Sequence, residues 1–354
     1  MTNRAENDRT VAWAVLGTGN IAATFAEDIR LARHARLVAL CSRTPDSANA
    51  FSRRFPGLRI LPDIDALASD PQIDAVYIAT PNTAHFDAAQ RLLSAGKPVL
   101  IEKPMVMTVS QARQIADLVA EKQTFAMEAL WTVFLPAVNH VRTLLSDKAI
   151  GTITGIRAEL AYVRPFDSNS RFFSKALGGG SLFDLGIYPV TLTLALFGAP
   201  RSISGRWSAT PSGVDMTADL QLVYTGFNAS ISCGFDRDGT NRFIIEGETG
   251  SIIIDTPFLR ASRVFVTRNR WARRLIAPSG SGRLSRLSGK IAARLPLPGL
   301  IVHNHTFVGN GLQFEIDAAS KAILQGERQS QTMPLENSVT ALDIVETILA
   351  QPAS

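Results

Sequence analysis

The run Val11-Ala12-Trp13-Ala14-Val15-Leu16-Gly17-Thr18-Gly19-Asn20-Ile21-Ala22 decides the fold. Six apolar residues read as a short buried strand, and a Gly-x-Gly-x-x-Ala turn follows it at once and opens a helix. The first glycine permits a tight turn, the second lets the backbone approach a pyrophosphate, and Ala22 lets the helix pack close to the strand. Backbone N–H groups and the positive end of the helix then face the phosphates. In this strand–turn–helix setting the motif predicts dinucleotide binding, with Gly17, Thr18, Gly19, Asn20 and Ile21 as contacts.

Outward from this turn, short apolar runs alternate with amphipathic segments, the pattern of a doubly wound parallel α/β sheet. Strands are expected at Val11 to Leu16, Leu37 to Cys41, Ala75 to Ala79 and Val99 to Ile101, with weaker ones near Ile60 and at Phe125 to Met127. Helices are expected at Ile21 to Leu31, Asp46 to Phe55, Ala84 to Ala95 and Ser110 to Lys122. After Trp131 the alternation stops, and strand-like runs at Thr152 to Val163, Met216 to Tyr224, Ala229 to Phe235 and Phe243 to Ile254 predict an α+β domain on a mostly antiparallel sheet. Helices at Gly311 to Leu324 and Asn337 to Leu349 close the chain. The expected domains are therefore a Rossmann domain over residues 1–131 and a substrate-binding and oligomerisation domain over 132–354. Because an antiparallel sheet is commonly one-sided, its second face is expected to meet another copy in a homodimer or higher homo-oligomer.

A length of 354 residues also favours two domains. With 46% hydrophobic and 19% charged residues, and no apolar run near the roughly 20 residues of a membrane span, a soluble globular protein with no membrane partner is expected. The polar start Met1 to Thr10 lacks the pattern of a secretory signal, and Cys41 and Cys233 sit apart in apolar runs, which predicts reduced thiols and the cytoplasm. The net charge of +5 is local. From Thr256 to Phe314 there are ten cations and no acid, and without them the remainder carries −5. Between Arg260 and Arg294 no aromatics beyond Phe265 and Trp271 interleave with the cations, so nucleic acid is not an expected partner. Ser279 to Pro298 reads as an irregular excursion.

Cofactor choice is read at the end of the second strand, where an NAD enzyme carries an acid for the ribose hydroxyls. Here Cys41-Ser42-Arg43-Thr44 offers hydroxyls and a guanidinium instead. Ser42 and Arg43 suit a 2′-phosphate, so NADP is favoured, with NAD as the alternative.

Four further segments complete the pattern: Ala79-Thr80-Pro81-Asn82-Thr83-Ala84-His85, Glu102-Lys103-Pro104, Met127-Glu128-Ala129-Leu130-Trp131, and Gly178 to Pro189 with Asp184-Leu185-Gly186-Ile187-Tyr188 inside it. Together with the first turn they resemble the glucose–fructose oxidoreductase / inositol dehydrogenase (Gfo/Idh/MocA) family, and within it the dimeric trans-dihydrodiol dehydrogenase branch. The resemblance implies hydride transfer between nicotinamide and a sugar, polyol, cyclic diol or related carbonyl. It adds Thr80, Pro81, Asn82, His85, Glu102, Lys103 and Trp131 to the cofactor side, and makes Lys103, Tyr188 and Asp184 the catalytic set. Lys103 would bond the substrate hydroxyl or the nicotinamide ribose. Tyr188 stands where most of the family carries His, and a phenol of pKa near 10 needs a nearby cation to act as a base. Asp184 and Tyr188, four apart, share a helix face unless Pro189 restarts the helix. Trp131 and Phe134 are candidates to stack on a ring, and Arg164, Phe166 and Arg171 to edge the substrate.

His303-Asn304-His305 brings no third ligand at metal-binding spacing, so no metal is expected. The rival function is a non-enzymatic, cofactor-sensing regulator on the same fold, a kind of protein the family also contains. Lys103 together with Tyr188 argues for chemistry.

Overall fold

The computed structural model describes residues 9–278 and 297–353. Its first sheet is built from β1 (Val11–Leu16), β2 (Ala35–Cys41), β3 (Arg59–Leu61), β4 (Ala75–Ile78), β5 (Val99–Glu102) and β6 (Ala126–Ala129). All neighbours are parallel, in the order β3-β2-β1-β4-β5-β6. The order reverses between β1 and β4, the place where open α/β sheets bind ligands. Every residue of β4, β5 and β6 is buried, as a sheet covered on both faces requires.

The helices between these strands are α1 (Asn20–Asp28), α2 (Pro45–Arg54), α3 (Ile64–Ser69), α4 (His85–Ser94) and α5 (Val109–Lys122). Local chemistry starts most of them. Thr44, Asp63 and Thr108 each accept a backbone N–H of the first turn, from Ser47, Ala66 and Gln111. The short α3 lies outside the sequence expectation; its six residues are too few to show a period.

The second sheet has eight strands in the order β14-β13-β12-β11-β7-β10-β9-β8. They are β7 (Ile153–Ala161), β8 (Ser202–Ala209), β9 (Asp215–Val223), β10 (Asn228–Gly234), β11 (Phe243–Gly247), β12 (Gly250–Ile254), β13 (Arg263–Thr267) and β14 (Leu300–Asn304). Only β7 and β10 pair in parallel. With them run α6 (Pro136–Ser146), α7 (Ile187–Phe197) and α8 (Arg270–Ile276). The single run expected at Phe243 to Ile254 is the hairpin β11–β12. β8 and β14 escape a sequence reading because they are edge strands, whose residues are mostly exposed or half-buried.

Part of the basic segment joins this sheet. Arg263 pairs with Asp255 at 2.5 Å and Arg273 with Glu246, while Ile276 is buried against Ile253 and Phe265. Arg283, Arg286, Lys290 and Arg294, with most of the excursion that begins at Ser279, lie outside the described residues.

Packing divides the chain into two units. The first runs to Phe134 and also takes in Val308–Leu342; the second holds Leu135–Phe307 and the residues from Asp343. The helix Leu312–Leu324, expected with the second domain, therefore belongs to the first. Asp28 at the end of α1 accepts the N–H groups of Asn310 and Leu312 at 2.9 Å, and the Trp13 indole donates to Ser320 Oγ at 2.9 Å. Amphipathic spacing shows that a helix buries one face but does not name the sheet it buries it against. In the second unit, Lys175–Phe197 is long and apolar enough to cross a membrane by length and composition, yet 72% of its window is buried in the fold, as in a core helix.

Candidate active site

In the first unit the turns after β1, β2 and β4 converge. Gly17 has φ +109°, and a Cβ there would stand 2.5 Å from the Ala79 carbonyl oxygen, so the turn accepts only glycine. Its N–H donates to Cys41 O at 2.8 Å, and Thr18 Oγ1 lies 3.1 Å from Ser42 Oγ. Beside Gly19, by contrast, a Cβ would meet nothing within 4 Å. Gly19 caps α1 without a side-chain hydrogen bond, so no side chain of the cap takes up the first-turn N–H groups. Thr80 Oγ1 is buried without a hydrogen-bond partner. Open space at a helix start beside an orphaned hydroxyl is what a dinucleotide phosphate and ribose would fill, so the residues fit such a cofactor. Arg43 is exposed and makes no ion pair with a described residue. Asn20 and Ile21 are exposed in the first turn of α1, Pro81 and Asn82 follow β4, and Trp131 opens a short 3-10 turn after β6.

His85 is fully buried, with Nδ1 2.9 Å from Pro104 O and Nε2 2.9 Å from Thr80 O. Sequence position suggests that it borders the cofactor or caps a helix. Both of its ring nitrogens meet backbone carbonyls, and it joins the turn after β4 to the turn after β5. Burial above all, and then Lys103, pulls its pKa below the usual range, while the two carbonyl contacts oppose that shift.

Lys103 is half-buried at the end of β5. Glu102 before it is buried, accepts from the Tyr77 hydroxyl and from Lys103 N–H, and has its pKa pushed up by burial to about 7. Glu128, which accepts Met105 N–H, and Glu315 are likewise raised by burial, Glu315 also by Glu102, Asp28 and Glu128.

In the second unit, Leu182–Gly186 forms a π-helical turn carrying Asp184, and α7 continues from Ile187 with Tyr188 as its second residue. Gly186 keeps α-helical torsion angles and the Ile187 N–H bonds back to the Leu182 carbonyl, so the helix runs on without a break and the wider π turn just before Pro189 takes up the proline's missing N–H. Asp215, which sequence reasoning missed, fixes this turn: buried, it accepts from Ser181 Oγ at 2.7 Å and Leu182 N–H at 2.6 Å. A Cβ on Gly180 would stand 2.1 Å from its carboxylate, and one on Gly179 2.6 Å from the Phe172 carbonyl oxygen, which explains these two glycines. Asp184 pairs with Arg164 at 3.4 Å and Arg171 at 3.8 Å, and both guanidiniums lie over the Phe172 ring. Phe166 is exposed and Phe134 buried.

His303 and His305 find in space the third imidazole that spacing did not supply: His140 of α6 lies 4.2 and 4.9 Å from them, ring centre to ring centre. Among the described residues, however, no group of three ligand side chains is placed to hold a metal ion.

Residues 11–129 match the oxidoreductase family with an NAD-binding Rossmann fold, and residues 138–253 match the C-terminal domain of the same GFO/IDH/MocA group. The chain belongs to the Gfo/Idh/MocA oxidoreductase family. It is 29% identical to trans-1,2-dihydrobenzene-1,2-diol dehydrogenase of Xenopus laevis over 96% of this chain and 97% of that one. It is 26% identical to the NADP-dependent D-xylose 1-dehydrogenase of Hypocrea jecorina, over 98% and 93%. The aldose–aldose oxidoreductase of Caulobacter crescentus shares the fold with a TM-score of 0.79 at 22% identity, over 96% of each chain.

Proposed function

We propose that this oxidoreductase uses NADP to oxidise or reduce a sugar, polyol or cyclic diol, or the corresponding carbonyl compound. The observation that carries the reading is the half-buried Lys103 at the ligand-binding edge of a Rossmann sheet, in the same unit as a glycine turn that is open at Gly19. The names of the relatives, dihydrodiol and xylose dehydrogenases, support the substrate class.

Gly17 to Ile21 would hold the pyrophosphate, Ser42 and Arg43 the 2′-phosphate, and Thr80, Asn82 and Trp131 the nicotinamide half. A bound nicotinamide supplies the hydride acceptor in one direction and the donor in the other. Lys103 binds the reacting oxygen and stabilises the charge it gains as its proton leaves. Tyr188 takes that proton in oxidation and returns it in reduction. Asp184, held by two guanidiniums, presents a fixed acceptor to a second substrate hydroxyl. A panel of sugars, inositols, dihydrodiols and dicarbonyls, with NADPH formation or consumption followed spectroscopically, tests the reading. Tight NADPH binding with no turnover on any of them would favour the regulator instead.

Arg43→Ala is expected to weaken NADP binding about 10- to 100-fold and to leave NAD binding nearly unchanged, because only NADP offers the phosphate that makes the charge-assisted contact. Equal changes in the two dissociation constants would remove Arg43 from the cofactor site.

The proposal extends to a homodimer. The polar face of the second sheet, with Arg157, Arg206, Asp219 and Gln221, is the surface offered to a second copy. Two buried, free cysteines support a reducing compartment, the cytoplasm.

A further inference from the structure

Three consecutive backbone groups beyond β5 are each met by a buried ionisable side chain. Lys103 N–H donates to Glu102 Oε2 at 3.2 Å, the Pro104 carbonyl faces His85 Nδ1 at 2.9 Å, and Met105 N–H donates to Glu128 Oε1 at 2.8 Å. The third bond reaches farthest. β5 and β6 stay in register up to Ile101 against Glu128 and Glu102 against Ala129; beyond that pair the chain leaves the ladder, and Met105 is itself fully buried. Water does not reach its N–H, and no neighbouring strand supplies an acceptor. Glu128 reaches forward from β6 and does so.

A carboxylate is a costly choice for that task. Glu128 is 1% exposed and has no ion pair with a described residue, and the Ser338 hydroxyl stands near it. A site selected for stability alone would favour an apolar residue and a different turn. Burial raises the Glu128 pKa, while the nearby Ser338 hydroxyl, the Met105 N–H and, least, the charge of Lys103 oppose that rise. The carboxylate thus meets the lysine's turn through the backbone two residues on.

We propose that Glu128 is a positioning residue for Lys103: it fixes the turn of Lys103 to Met105 so that the amine is presented to substrate in one orientation. The inference rests on the reading of Lys103 as a catalytic residue. Glu128→Met keeps the length of the side chain and removes the acceptor, whereas Glu128→Gln keeps an acceptor oxygen and removes the charge. Because misplacing a catalytic group by about 1 Å costs up to roughly 10²-fold, kcat of Glu128→Met should fall about 10- to 100-fold with KM little changed. Its Met105 amide should lose hydrogen-exchange protection, and Glu128→Gln should restore both. If Glu128→Met fails to fold, Glu128→Ala is read in the same way.

Loss of protection at Met105 with normal kcat, in a protein whose Lys103→Met variant is inactive, would overturn the proposal: the bond would hold the turn and the lysine would not need it. Retained protection in Glu128→Met would overturn it too. Normal turnover in Lys103→Met would sink the functional reading instead, and the positioning role with it.

Discussion

Tyr188→Phe is expected to lower turnover by roughly 10² to 10⁴ and to leave NADP affinity nearly unchanged, the span of a lost general acid–base group. The substitution is clean because the ring is 9% exposed on a helix buried from Ile187 to Leu194, so Phe occupies the same packing and only the hydroxyl is lost. Steady-state kinetics on the best substrate, with cofactor binding measured separately by fluorescence, divides the two effects. A Tyr188→Phe enzyme with normal turnover would leave Lys103 or an ordered water as the proton carrier.

Lys103→Met should cost about 10²- to 10³-fold in turnover, the size of effect seen when one donor to a developing oxyanion is removed. NADP binding should weaken far less. The turn survives the change because His85 and Glu128 grip the backbone of Pro104 and Met105 and not the lysine side chain. Loss of cofactor affinity as large as the loss of turnover would place Lys103 on the cofactor and not on the reacting oxygen.

Much of this architecture is legible in the sequence because it is local. Val11 to Leu16 is a strand over the expected residues, and Gly17 is demanded by a carbonyl that any Cβ would strike. The parallel order around β1 follows from alternation and short connections. What the sequence hides is long-range. Asp215 sits 33 residues beyond the Leu182 N–H it accepts from, and nothing near it advertises that partner. Glu128 is visible as part of a motif, but its bond to Met105 appears only once β5 and β6 are side by side. His85 reads as a ligand-facing histidine until its two nitrogens are seen to meet Thr80 and Pro104. The third histidine of the group around His303 is likewise brought by a helix far away in the chain.

The return of Val308–Leu342 to the first unit bears on how the protein is made. During synthesis the indole of Trp13 waits 307 residues for Ser320, which at ribosomal speed is about 15 to 60 s. The Asn310 and Leu312 N–H groups that satisfy Asp28 come almost as late. The core of the nucleotide-binding half, although encoded first, therefore closes only once Val308–Leu342 has been made, and a fragment ending at Trp131 would display the apolar surface that the helix Leu312–Leu324 covers. Nascent chains paused before residue 308 are the species a chaperone would have to shield.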